Sequence, residues 1–241
     1  LKYGPIYQEE TVPESLGELT VDLLEEYASD PDPEMESEVL RLLGAKPVKP
    51  WTILAVTFTN KAARELQERL TTQVGAGGGQ VVAGTFHAIC ARILRRDIDR
   101  LGYPRDFTIY DTDDARRLMK ECIKEQNLDD KKFPPPQMLG IIGRAKDSLM
   151  GPEEFAAEYK DDFRMSRIAK LYERYQRRLE AAGALDFDDM IRLTVKLLRQ
   201  EEELRDYYRR RFAFVMVDEY QDTNHAQYVL TELLAAGGVL M

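Results

Sequence analysis

Three stretches of the chain are uncharged and mainly apolar: ILAVTF at 53–58, VVAGTF at 81–86 and FAFVMV at 212–217. Continuous apolar runs of this length, rich in β-branched and aromatic residues, predict strands buried on both faces, as in parallel sheets. A segment with helical spacing follows each one. KAARELQERL begins behind Thr59-Asn60, two residues suited to capping a helix, and HAICARILRRDIDRLG ends at Gly102. NHAQYVLTELLAAGG is closed by glycines, and the final VLM reads as the opening of a further strand. Between positions 113 and about 183 helical segments dominate. DDARRLMKECIKEQ, PQMLGIIGRAKDSL, PEEFAAEY and RMSRIAKLYERYQRRLEAAG are punctuated by Pro134-Pro135-Pro136 and Gly151-Pro152. The helix DFDDMIRLTVKLLRQ then leads through RDYYRRR to the third apolar run. Strand–helix alternation on both sides of a helical block predicts an α/β parallel-sheet domain interrupted by an all-α insertion.

The first fifth of the chain has a different character. ELTVDLLEEYAS is helical in period, and Asp32-Pro33 with EMESEVLRLLG supplies a cap, a first-turn proline and the terminating Gly44. The resulting partition is 1–50 as an acidic insertion and linker, 51–110 as the first α/β part, 111–187 as the helical block and 188–241 as the return to α/β.

Charge sharpens this division. The formal net charge is −9, but residues 1–50 alone carry 4 Lys+Arg against 12 Asp+Glu, whereas 51–110 carry 8 against 5. Outside the acidic segment the chain is close to neutral, so its charge neither demands nor forbids a polyanionic partner. Cys90 and Cys122 stand 32 positions apart with no CxxC, which excludes a disulfide scaffold or a cysteine-rich zinc site and fits two reduced core thiols in a cytoplasmic protein. No apolar run approaches the roughly 20 residues that a membrane span requires.

The candidate chemistry lies where strands end. A parallel strand running into Asp218 and Glu219 delivers both carboxylates to the carboxyl edge of the sheet, where ligands of open α/β folds bind. Asp218 is suited to hold Mg²⁺ through water, Glu219 to polarise a water as general base, and Gln221 to sense a phosphate or a water. The competing reading is a solvated strand end, with Asp222, Thr223 and Asn224 capping the next helix. TFTNKAA offers backbone N–H groups and the short polar side chains of Thr59 and Asn60 to a polynucleotide phosphate, with Phe58 for base stacking or for the core. Thr85 and His87 repeat that design after the second run. Arg92, Arg95, Arg96 and Arg100 form either a phosphate-facing ridge or a solvated face. The GAGGG cluster at 75–79 fails as a phosphate loop: it follows a helix, and no Gly-Lys dipeptide occurs anywhere in the chain. It reads as a flexible surface loop.

ILAVTFTNKAARELQERL, VVAGTFHAIC and VDEYQDTNHAQY resemble motifs Ia, Ib and II of the superfamily 1A DNA helicases, the UvrD/Rep/PcrA family. FTIYDTDDARRLMKECI and GALDFDDMI are similar to the segments that border and cross the family's helical subdomain 1B, so the resemblance covers about residues 51–241. It implies part of a RecA-like (P-loop NTPase) domain 1A interrupted by an all-α subdomain 1B. The implied activity is ATP-dependent 3′→5′ translocation on single-stranded DNA and unwinding of duplex DNA, with ATP and Mg²⁺ as cofactors. Asp218 becomes the Mg²⁺-associated carboxylate, Glu219 the base for ATP hydrolysis and Gln221 a neighbour of the γ-phosphate. Phe58, Thr59, Asn60, Thr85 and His87 become the single-stranded DNA track. The family's adenine-contacting glutamine, Walker A loop and motif III have no counterpart in these residues. The expectation is therefore an internal fragment, inactive by itself because the β- and γ-phosphates lack their cradle. Two alternatives are a non-catalytic single-stranded DNA-binding module and a fragment of an AddA/RecB-type helicase–nuclease. The compact spacing from TFHAIC to VDEYQDTN favours the UvrD-like assignment.

Overall fold

A computed structural model describes residues 48–235 and 239–240. The helices expected within 1–47 and the glycines expected to close the last helix lie outside these residues.

The three apolar runs form the strands β1 (Ile53–Thr57), β2 (Val82–Thr85) and, later in the chain, β5 (Phe214–Val217). All five residues of β1 are buried, which is why the run carries no polar alternation. With the short β6 (Val239–Leu240), they make a four-stranded parallel sheet in the order β2-β1-β5-β6. β1 therefore sits between β2 and β5 although 156 residues of sequence separate it from β5.

Each strand leads into a helix whose start its own residues cap. Thr59 accepts from the Ala62 amide at the start of α1 (Asn60–Val74), and Thr85 accepts from the Ala88 amide at the start of α2 (Phe86–Asp97). After a 3₁₀ turn, Gly102 supplies the left-handed residue (φ 82°) that ends the second of these segments. A helical block follows: α3 (Thr112–Glu125), α4 (Pro135–Asp147), α5 (Pro152–Glu158) and α6 (Phe163–Ala181). α7 (Phe187–Gln200), α8 (Glu202–Arg211) and α9 (His225–Leu234) belong to the return segment.

Two apolar cores divide these elements. One gathers one face of the sheet with α2, α7, α8 and α9, and the other gathers α3 to α6 around Tyr172, Tyr175, Met138 and Phe155. Leu185 packs in the first and its neighbour Ala184 in the second. A smaller cluster of Ile53, Ala55, Leu70 and Val81 occupies the other face of the sheet under α1.

Three local features depart from the sequence expectations. The entry to the helical block, β3 (Thr108–Ile109), pairs in parallel with its exit, β4 (Ala184–Leu185), so the two passages between cores are tied side by side. These two-residue strands are too short to leave a periodic signal. RDYYRRR lies inside α8, held by buried Leu204 and Tyr208. The glycine cluster is an ordered 3₁₀ turn, Gly75–Gln80, rather than a flexible loop. Gln67 Nε2 donates to the Gly78 carbonyl at 2.8 Å, and a Cβ on Gly78 would stand 2.1 Å from the Leu70 oxygen. Gly78 has to be glycine because the turn lies against the backbone of α1 there.

Candidate functional site

Register assembles the site. Thr57 pairs with Thr85, and Val56 pairs with Val217, which sets Asp218 level with Thr57. Three strands thus end together, and the residues that follow them (Phe58–Asn60, Phe86–His87 and Asp218–Glu219) leave the sheet from one carboxyl edge.

Asp218 and Glu219 are exposed, and the Asp218 amide still donates to the Val56 carbonyl at 3.0 Å, as the last rung of the sheet. Glu219 then takes a left-handed conformation (φ 49°, ψ 45°), which costs a non-glycine residue about 1–3 kcal/mol. That reversal turns the chain into a single 3₁₀ turn, Tyr220–Asp222, closed by the Asp222 amide on the Glu219 carbonyl at 2.9 Å. Gln221 is exposed on the turn. The capping reading also holds at its far end: Asn224 accepts from the Gln227 amide at 2.9 Å, and Gln227 Oε1 accepts from the Asn224 amide at 3.0 Å. Beside Asp218, a cleft of about 490 Å³ runs along the sheet under α1, lined by Ala55, Ala62, Leu66, Arg69 and Met216 among others.

On the neighbouring strands, Phe58 is half-buried, its ring edge-on to Phe86 at 5.5 Å between centroids. Its packing and an open ring edge coexist. Thr59 and Asn60 are exposed at the first turn of α1, where unpaired backbone N–H groups face outward. Thr85 is buried as a cap. His87 is half-buried against Phe187, with centroids 4.8 Å apart, and burial lowers its pKa, which favours the neutral imidazole. Phe187 is 53% exposed. Sequence reasoning missed it because its spacing to Met190, Ile191 and Thr194 marks the core stripe of α7; its position at the very start of the helix leaves it outside.

The four arginines of α2 and the turn after it do not form a free ridge. Arg92 reaches the Ala83 carbonyl at 3.4 Å, and Arg95 lies over the Phe107 ring at 3.8 Å. Arg96 lies over Tyr207 at 4.2 Å, and Arg100 pairs with Glu201 at 2.6 Å. Cys90 and Cys122 are free and buried, and burial raises the thiols to about 12 and about 11. Among the described residues no helix is long and apolar enough to cross a membrane.

The family model of the UvrD/REP helicase N-terminal domain matches residues 35–241. Over 197 residues the chain is 48% identical to the ATP-dependent DNA helicase PcrA of Bacillus subtilis (strain 168), a stretch covering 80% of this chain and 26% of that protein. It is 45% identical over 195 residues to the protein of the same name from Staphylococcus aureus (strain Mu50), covering 81% and 27%. The chain thus spans about a quarter of the length of the curated relatives it matches.

Proposed function

The chain belongs to the UvrD/REP helicase family, within its N-terminal domain, and on that premise we propose that it carries the DNA-gripping edge and the hydrolytic carboxylates of an ATP-dependent DNA helicase working in the cytoplasm. Its fold is a partial RecA-like α/β domain with a helical block inserted. We assign 51–110 and 188–241 to domain 1A and 111–187 to subdomain 1B, supported by the separate cores.

The observation that carries the reading is the register that sets Thr57, Thr85 and Asp218 level. One edge can then hold a DNA strand over β1 and β2 and a nucleotide beside β5. Phe58 stacks on a base, while Thr59, Asn60 and the α1 amides meet a phosphate. Thr85 orders the start of α2, and His87, with Phe187 behind it, faces the next nucleotide. On the other side, Asp218 is the residue that would hold Mg²⁺, through water. No hydrogen bond or ion pair among the described residues occupies its carboxylate, and no cluster of three or more His, Cys, Asp or Glu there forms a dedicated cage. One free carboxylate suits Mg²⁺, which keeps its waters and is shared with substrate phosphates. When bound, Mg²⁺ with ATP supplies neutralisation of the charge on the phosphates. Glu219 accepts the proton of the attacking water, and Gln221 orients that water or the γ-phosphate. Translocation runs 3′→5′ on single-stranded DNA and unwinds the duplex ahead.

The 241 residues contain no Gly-Lys dipeptide and therefore no Walker A lysine. By themselves they bind single-stranded DNA and hydrolyse no ATP. The test has two parts. Binding of single-stranded DNA to this chain should weaken steeply with salt and weaken further in Phe58→Ala and Asn60→Ala. In the whole protein, Glu219→Gln should lower DNA-stimulated ATP turnover by about 10²–10⁴. Undiminished turnover in Glu219→Gln, or binding indifferent to both track variants, overturns the proposal.

A further inference from the structure

We propose that Asp147, the last residue of α4, is a positioning residue for the hydrolytic loop: its hydrogen bond to Asn224 lets the helical block set the geometry of Asp218–Asn224. The inference rests on the hydrolytic reading of that loop given above.

The loop is held at two ends. At Asp218 the anchor is the sheet itself, through the Val56 carbonyl. At Asn224 it is the capping box with Gln227, together with Asn224 Nδ2 donating to Asp147 Oδ1 at 2.6 Å. Both ends of the Asn224 amide are therefore in use. An aspartate would cap α9 equally well, but it has no donor to offer a second carboxylate. Between the anchors Glu219 keeps its left-handed backbone, a conformation that persists only where its surroundings over-determine it.

Asp147 is itself fixed from both sides. Lys146, fully buried, reaches Asp186 Oδ2 at 2.7 Å and Asp189 Oδ1 at 3.1 Å on the first turn of α7. Tyr175 and Gln176 of α6 hold the same two carboxylates at 3.0 Å each. Past the helix end, Leu149 turns left-handed (φ 61°) and packs into the α/β core. Half-buried between these anchors, Asp147 is a rigid stop that the loop leans on. Burial pushes its carboxyl up, and one of its oxygens faces the Asn224 donor. Of the groups that brace the loop, Asp147 comes from the helical block. A tilt of α4 against the sheet is thus transmitted to Asn224 and along five residues to Glu219.

In the whole protein, Asp147→Ala should lower the kcat of DNA-stimulated ATP hydrolysis about tenfold, from loss of a charge-assisted hydrogen bond. The KM for ATP and the single-stranded DNA affinity should stay within about twofold, since Asp147 stands outside the residues assigned to either ligand. Asn224→Asp sets two carboxylates face to face and should match or exceed that loss. The exchange Asp147→Asn with Asn224→Asp restores a donor to an acceptor and should recover turnover. An exchange variant no better than Asn224→Asp alone, or Asp147→Ala turning over like the wild type, overturns the inference. Hydrogen exchange decides independently of activity. The Asp222 and Thr223 amides, bonded to Glu219 and Tyr220, should lose protection in Asp147→Ala while those of Leu54 and Val215 keep theirs. Wild type without ATPase would sink the hydrolytic reading; unchanged loop protection would sink this one.

Discussion

Replacing Lys146 by Met tests the buried junction most directly. The side chain has no exposure and lies between two carboxylates, at 2.7 Å from Asp186 and 3.1 Å from Asp189. Methionine fills nearly the same volume, so the change removes charge and little packing. Asp189 would keep Arg192 at 2.8 Å and Gln176 at 3.0 Å, whereas Asp186 would keep only neutral donors, Tyr175 and the Asp189 amide. Breaking a buried pair by deleting one partner costs about 3–5 kcal/mol, and the surviving arginine argues for the lower end. For a chain of this length, that corresponds to a melting temperature lower by roughly 10 °C at pH 7. The pH dependence is sharper than the magnitude. Burial works to raise the Asp189 carboxyl, but Lys146 and Arg192 outweigh it and hold it at about 2. A depressed carboxyl contributes stability above its ordinary pKa, and that stability is lost as pH falls from about 4 to about 2. Between pH 7 and pH 4 the wild type keeps this contribution, while the variant relieves its uncompensated charge by taking up a proton. The gap between the two melting curves should therefore narrow as pH drops to 4. Far-UV circular dichroism melts at several pH values measure it. A penalty under about 1 kcal/mol, or one equal at pH 7 and pH 4, would refute the account of Lys146 as a counter-ion.

The remaining predictions concern neighbouring elements. Burial, with Asp186 nearby, raises Asp188 from 3.8 to about 6, so the fold disfavours its ionised form and stability should fall as pH rises from about 4 to about 6. Asp188→Asn should flatten that slope and melt higher at pH 7, by up to roughly 3 kcal/mol; an unchanged slope contradicts it. Gly78→Ala drives a Cβ against the Leu70 carbonyl and should cost about 1–3 kcal/mol, whereas Gly79→Ala, with nothing within 4 Å, should melt like the wild type. Equal melting of the two variants would mean that the turn is not packed as described. With Cys90 at about 12 and Cys122 at about 11, native protein should resist maleimide at pH 8 and label at both thiols in urea, read by mass spectrometry.

Much of the site was legible because its signals are local. A continuous apolar run declares a doubly buried strand, and Thr59, Thr85 and Asn224 declare helix starts because capping needs only the residue and the next turn. Asp218, Glu219, Phe58 and His87 could be named as candidates from their positions after such runs. What stayed hidden is non-local or set by a single torsion. Glu219 is left-handed, and a glutamate has no propensity to announce it. Phe187 shares a helical stripe with buried residues, yet stands outside because α7 starts at the rim of the core. The glycines at 75–79 suggested looseness, yet they form a 3₁₀ turn in which Gly78 lies against the Leu70 carbonyl.

The sequence by itself determined the strands of the larger sheet, most of the helices, the caps and the order of motifs, since each depends on residues within a few positions of one another. Only the tertiary structure decided which strands lie side by side, and so that Thr57, Thr85 and Asp218 share one edge. It alone decided that Asp147 meets Asn224 across 77 positions of chain. Register and long-range hydrogen bonds are settled by the packing of whole faces against one another. No window of the sequence contains both partners.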